Sequence, residues 1–187
     1  VTTFTGAYNT GTLGPNNCIY LTPESGTGNL LVINTVNDTI STIGSGLGRY
    51  GCLALAPNGF MYGSPIDNLA SEPILIINTS NNSVSTFGSV GGYVQGFTLG
   101  ANGKLYSSPY SSSYPPYQIT PSGTSLSVTS LTTTGISVYG SILAPNGNIY
   151  GVSASSANQI YAIKFSGLVQ LPSLTYCLSP YTNKGAN

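Results

Sequence analysis

Only four acidic side chains occur in this 187-residue chain, and three of them, Glu24, Asp67 and Glu72, fall in loops that correspond to one another in an internal repeat. Two carboxylates flanking one bond can act as acid and base, so glycoside hydrolysis is the chemistry they would serve. Solvated loop carboxylates are the ordinary alternative. The absence of His removes Ser-His-Asp and Cys-His nucleophiles, and with no clustered Cys it removes a zinc site as well. Asp38 beside Asn37 supplies a single acid where calcium gathers roughly six to eight oxygens. On this inventory no catalytic residue, metal ligand or cofactor is assigned, and the chain is expected not to be an enzyme.

Binding chemistry is better represented. Residues 106–117 read Tyr-Ser-Ser-Pro-Tyr-Ser-Ser-Ser-Tyr-Pro-Pro-Tyr, and Tyr with Ser is the composition that recognition loops favour. Tyr110, Tyr114 and Tyr117 are therefore the expected binding or assembly residues, against an ordinary exposed loop. A second set, Tyr20, Tyr62, Tyr106 and Tyr150, recurs once per repeat. These suit a sugar-binding ring, but equivalent residues in repeats usually share a packing role, which is the expectation here. Asn37, Asn78 and Asn81 each open an N-glycosylation sequon in a predicted surface turn. Of Cys18, Cys52 and Cys177, the candidate disulfide is Cys52 with Cys177, and buried reduced thiols are the alternative.

Composition narrows the partners. Charged residues make up 4% of the chain and sum to zero, against roughly 25% in an average domain. No basic cluster marks a nucleic-acid or anionic-lipid surface, and no apolar run reaches the ~18 residues of a membrane span. Near-zero charge leaves self-association little opposed. Few groups titrate from neutrality into mild acid, which predicts a nearly flat stability profile there.

The elements that must position these residues are strands. The unit Leu55-Ala-Pro-Asn-Gly-Phe-Met-Tyr62 recurs as Thr12-Leu-Gly-Pro-Asn-Asn-Cys-Ile-Tyr20, Leu99-Gly-Ala-Asn-Gly-Lys-Leu-Tyr106 and Leu143-Ala-Pro-Asn-Gly-Asn-Ile-Tyr150. Its tyrosines step by 42, 44 and 44 residues, within the range of propeller blades. Each period adds a second apolar run (residues 30–33, 74–77, 117–119, 160–163), and the first two add a third, alternating one (39–43, 83–87) with weaker equivalents at 125–131 and 168–171. Short β-branched runs bounded by Gly, Pro, Asn and Ser are strands. One period is thus a four-stranded antiparallel meander.

Residues 31–44, with Tyr50-Gly-Cys-Leu-Ala-Leu-Ala-Pro-Asn-Gly59 and Met61-Tyr62, resemble the YVTN family of β-propeller repeats. Asn stands where that family's turn usually has Asp, and Gly63 or Ser107 where it often continues Val-Thr-Asn. The resemblance implies a propeller in a secreted or cell-surface setting and no particular catalytic residue.

The expected fold is all-β: one domain, 1–187, a propeller of about four four-stranded blades at about 7–44, 45–88, 89–131 and 132–171, with a partial repeat or tail at 172–187. Val1, Thr2, Thr3 and Phe4 match Val84-Ser-Thr-Phe87, a blade's last strand. This orphan strand completes either the chain's own last blade, the commoner arrangement, or a neighbouring subunit's. With Val1 first, a removed secretory leader and an extracellular or surface location are expected. The leading function is a structural subunit that assembles with copies of itself into a filament, coat or surface layer. The alternatives are an adhesin or lectin-like propeller binding cell-surface glycans and, more weakly, a glycoside hydrolase.

Overall fold

A computed structural model describes residues 6–24, 28–67, 69–131, 137–153 and 160–163. The chain is an all-β propeller. Blade 1 comprises β1 (Tyr8–Leu13), β2 (Cys18–Pro23), β3 (Gly28–Asn34) and β4 (Thr39–Leu47). Blade 2 comprises β5 (Tyr50–Leu55), β6 (Phe60–Pro65), β7 (Glu72–Asn78) and β8 (Ser83–Val90). Blade 3 comprises β9 (Val94–Leu99), β10 (Leu105–Pro109), β11 (Tyr117–Ser122) and β12 (Ser125–Ser130). Blade 4, among the described residues, comprises β13 (Val138–Leu143), β14 (Ile149–Ser153) and β15 (Ile160–Ile163). Every sheet is an antiparallel meander in chain order.

Burial grades outward through each blade. In β7 both faces are apolar, with Ile74, Leu75, Ile76 and Ile77 all buried, because blades lie on either side. In β4 and β8 most residues are exposed Ser, Thr and Gly, as suits an outermost strand. Two clusters hold the blades together. Tyr20, Leu30 and Val32 of blade 1 pack on Leu53, Met61, Leu75 and Ile77 of blade 2. Ala54, Tyr62, Ile74 and Ile76 on the other face of blade 2 pack on Phe97, Leu105 and Ile119 of blade 3. The innermost strands are also stitched by hydroxyls: Thr12 Oγ1 donates to Leu53 O (2.9 Å), and the equivalent Thr98 Oγ1 donates to Ser141 O (2.8 Å).

The repeated turn explains its own composition. In each copy the Asn Oδ1 accepts a hydrogen bond from the backbone N–H two residues on, as Asn58 does from Phe60 N at 3.1 Å. The same side chain donates Nδ2 to the tyrosine hydroxyl four residues on: Asn16 to Tyr20 (2.8 Å), Asn58 to Tyr62 (3.0 Å), Asn102 to Tyr106 (2.9 Å) and Asn146 to Tyr150 (3.0 Å). Asp could take the first role but has no N–H for the second, which accounts for the departure from the Pro-Asp-Gly pattern. Gly59, Gly103 and Gly147 take positive φ at the turn, and Asn17 substitutes at φ 57° in the first copy. Tyr20, Tyr62 and Tyr106 are fully buried. Two of the hydroxyls tie blades together as well: Tyr20 donates to Asn82 Oδ1 of blade 2 at 2.5 Å and Tyr62 to Gly123 O of blade 3 at 2.9 Å, while Tyr106 donates to Gln118 Oε1 of its own blade at 3.1 Å. These tyrosines pack; they do not form a binding ring.

Val1, Thr2, Thr3, Phe4 and Cys177 lie outside the described residues. Cys18 and Cys52 are not joined to each other. Burial pushes the Cys52 thiol up, and its sulfur presses so closely on β9 that a Cβ at Gly96 would lie 2.5 Å from it. Asn37 and Asn81 are exposed and Asn78 half-buried. All three Oδ1 atoms accept from the backbone N–H two residues on.

Candidate functional site

Antiparallel meanders send the β1–β2 and β3–β4 turns, and their equivalents, to one end of the propeller, and the β2–β3 and blade-to-blade connections to the other. At this loop end a backbone frame repeats: Glu24 N donates to Ala7 O, Ile66 N to Arg49 O and Tyr110 N to Tyr93 O, at 3.0, 3.2 and 2.8 Å. Just inside it, the first strand of every blade carries a register shift at the same place: Tyr8/Gly11, Tyr50/Leu53, the β9 residues opposite Ser108/Pro109, and Val138/Gly140. Bulges re-aim side chains, and Tyr139 stands in the last of them. The frame is constant, but its side-chain slots differ: Ala7, Arg49, Tyr93 and Ser137 in one, Glu24, Ile66 and Tyr110 in the other.

Two chemically distinct patches result. The first lies on blades 1 and 2 and gathers half of the chain's eight charged residues. Arg49 Nε donates to Glu24 O (2.7 Å), its Nη1 lies 3.5 Å from Asp67 Oδ1, and its backbone N–H donates to Asp67 Oδ2 (3.3 Å). Arg49 thus bridges the two loops that bear Glu24 and Asp67. Glu72, opposite Val90 in the β7–β8 ladder, is 9% exposed, and its Oε1 has no hydrogen-bond partner. Burial, reinforced by the charge of Asp67, raises the Glu72 carboxyl above its ordinary value. Tyr50, whose hydroxyl donates to Pro73 O (3.4 Å), is pushed up to about 12 by burial and by Glu72 and Asp67. One carboxylate is therefore tied to a cation, while its neighbour keeps one oxygen without a partner and is biased toward the protonated acid. Among the described residues no group of three or more His, Cys, Asp or Glu is arranged to hold a metal.

The second patch lies on blades 3 and 4. Tyr110 sits between Tyr93 (ring centroids 5.0 Å apart, planes at 55°) and Tyr139 (5.5 Å, 61°). Tyr110 is 41% and Tyr139 52% exposed. Ser137 Oγ donates to Tyr110 O. The hydrogen bond between the Tyr139 and Tyr110 hydroxyls raises the Tyr139 phenol above its ordinary value. Tyr114 plays a different part. Its ring lies over Gly91 and Gly92, where a Cβ at Gly92 would come within 2.2 Å of it. Tyr117 OH accepts from Gly91 N (3.2 Å). Gly92 N in turn donates to Leu69 O (2.7 Å) in the β6–β7 loop. The two patches are thus joined through the segment 69–70 and the glycines 91–92.

Of the expected loop residues, only Tyr110 joins the exposed aromatic group. Tyr114 and Tyr117 support the connection behind it. Tyr93 and Tyr139 lie in the β8–β9 connection and at a bulge, outside the Tyr/Ser run. Sequence reasoning missed Tyr93; the repeat phase, which aligns it with Arg49, is the signal that could have placed it at the loop end.

No family model matches the chain, and no curated protein matches it. Solved structures do. A catalytically inactive virginiamycin B lyase from Staphylococcus aureus, crystallised with quinupristin, is similar at 14% identity over 90% of this chain and 59% of its own, with a TM-score of 0.65. A gluconolactonase from Xanthomonas campestris is similar at 12% identity over 84% and 62%, TM-score 0.61. An auxiliary nutrient binding protein from Bacteroides ovatus is similar at 15% identity over 88% and 43%, TM-score 0.56. The chain spans less than two thirds of the length of each, and at these identities the likeness is one of fold.

That likeness corrects one expectation. The reading of the chain as no enzyme fails, because the frame it shares includes named enzymes, a lyase and a lactonase. The absence of His had removed imidazole and zinc chemistry, but a carboxyl group in a perturbed environment needs neither. A non-enzymatic structural role likewise finds no support in these neighbours.

Proposed function

We propose that the loop end of this YVTN-like propeller binds a neutral saccharide, with Tyr110 and Tyr139 as the contact platform. The observation that supports this is the triad of rings at 5.0 and 5.5 Å, two of them exposed and the third half-buried, carried on the repeating backbone frame. Tyrosine pairs a flat apolar face with a polar tip, which matches a sugar's C–H face and its hydroxyl rim. The aromatic patch contains no charged side chain, so binding should change little with ionic strength. Surface glycans of a cell are the natural setting for such a ligand, and an extracellular location would suit both it and the sequons at Asn37, Asn78 and Asn81. A glycan array followed by titration calorimetry tests the reading. Tyr110→Ala should weaken binding at least tenfold. A silent array, or unchanged affinity in that variant, would sink it.

One observation favours a second reading, in which the same end does acid–base chemistry on the bound molecule. The raised Glu72 carboxyl, with Oε1 buried and without a partner beside the Arg49–Asp67 pair, is an arrangement in which one acid is primed to donate a proton while its neighbour stays paired. Aryl glycosides and lactones are the substrates to try. Turnover that disappears in Glu72→Gln while the melting temperature holds would support the role, and equal turnover in that variant would end it.

A further inference from the structure

Few side chains in this protein give up an electron readily, and the fold hides most of them. There is no Trp and no His, and the single Met, Met61, is fully buried. Of the described thiols, Cys18 is buried, and burial holds Cys52 toward the protonated form, which oxidises less readily than a thiolate. Phenols remain. Tyr20, Tyr62 and Tyr106 are fully buried, with their hydroxyls engaged by Asn side chains. Among the described side chains two tyrosines are exposed, Tyr110 and Tyr139, and they are neighbours. Their ring centroids lie 5.5 Å apart with planes at 61°, and their hydroxyls share a hydrogen bond. That bond brings the two C–O ends together, and with them the ring carbons ortho to each oxygen.

We propose that this pair is an oxidative modification site, at which Tyr110 and Tyr139 couple to an intrachain dityrosine when hydrogen peroxide and a haem peroxidase supply the oxidant. Each phenol loses one electron and one proton to become a phenoxyl radical. The two radicals join through their ortho carbons in one C–C bond, and each ring then moves its ortho hydrogen to oxygen to recover the phenol. The two electrons and two protons reduce one peroxide to two waters. Three features select this pair. The oxidant meets exposed rings first. The radicals need no diffusion, because their contact is already made in the native fold. The other ring beside Tyr110, that of Tyr93, is half-buried. Tyr110 follows β10 and Tyr139 stands in β13, so the new bond staples blade 3 to blade 4. Like any cross-link between distant positions, it restricts the unfolded chain and raises stability. The inference stands apart from saccharide binding, although the bond would lock the same platform.

Treating the dilute 187-residue chain with hydrogen peroxide and a haem peroxidase tests this. Dityrosine fluorescence is expected in the monomer fraction under denaturing conditions, with an intact mass lower by two hydrogens. Proteolysis should release a fragment pair joined through residues 110 and 139, and the joined species should melt at a higher temperature than the untreated chain. Tyr110→Phe and Tyr139→Phe should each lower the yield of that species at least tenfold, whereas Tyr8→Phe in blade 1 should leave it unchanged. Both substitutions at the site remove a hydroxyl and keep the ring, and mapping the wild-type fragments needs no variant at all. Dityrosine formed only between chains, fragments joined through other tyrosines, or an undiminished yield in either site variant would overturn the proposal.

Discussion

The two ends of this propeller are built on the same period and have opposite characters. At the turn end, four copies of one device recur with little change: Asn accepts from a backbone N–H and donates to a tyrosine hydroxyl, and in the first three copies the ring is fully buried. At the loop end the backbone repeats just as faithfully, yet equivalent slots hold Ala7, Arg49, Tyr93 and Ser137. The difference teaches where packing stops dictating the residue. A tyrosine buried between blades has one acceptable neighbour set, and a side chain on a bulged loop is free to vary.

That contrast can be broken by substitution, and the largest effect should come from the turn end. Tyr62→Ala removes a fully buried ring and its bond to Gly123, and should cost about 3–5 kcal/mol in denaturant unfolding. Asn58→Ala leaves the Tyr62 ring in place but strips the turn of an acceptor and a donor; about 1–3 kcal/mol is expected. Tyr110→Ala at the loop end should stay within about 0.5 kcal/mol of wild type while abolishing ligand binding. If the loop-end variant were as destabilising as the turn-end ones, the division of labour between the two ends would be wrong.

Titration sharpens the same comparison from the charged patch. Glu72 has a raised carboxyl in the folded state. Its contribution to stability is therefore complete below the ordinary carboxyl range, near about 4.3, and is lost as pH rises through the folded value. Tyr50 is raised to about 12, so its contribution holds below about 10 and disappears as pH rises through that folded value. Melting temperature against pH should show a small decline out of mild acid, absent in Glu72→Gln, and a steeper alkaline loss, reduced in Tyr50→Phe. The flat acid profile expected from composition should therefore show an exception at Glu72.

Much of the fold was readable from the chain. The spacing of Tyr20, Tyr62, Tyr106 and Tyr150 set the phase, and the phase located the strands to within a few residues. The candidate site was only half readable. Tyr110 stood out in a Tyr/Ser run. Glu24 and Asp67 lie in corresponding loops as expected, but Glu72, expected in a loop as well, opens β7 and pairs with Val90. Tyr139 was hidden because a bulge, invisible in composition, re-aims it. Arg49 was hidden because its partners, Glu24 O and Asp67, come from two different blades.

Local chemistry alone settled the β-meander, the turn and its Asn, since each depends on residues within about one period of each other. Which side chains share a surface was decided only by the stacking of blades, which brings residues some forty positions apart into contact.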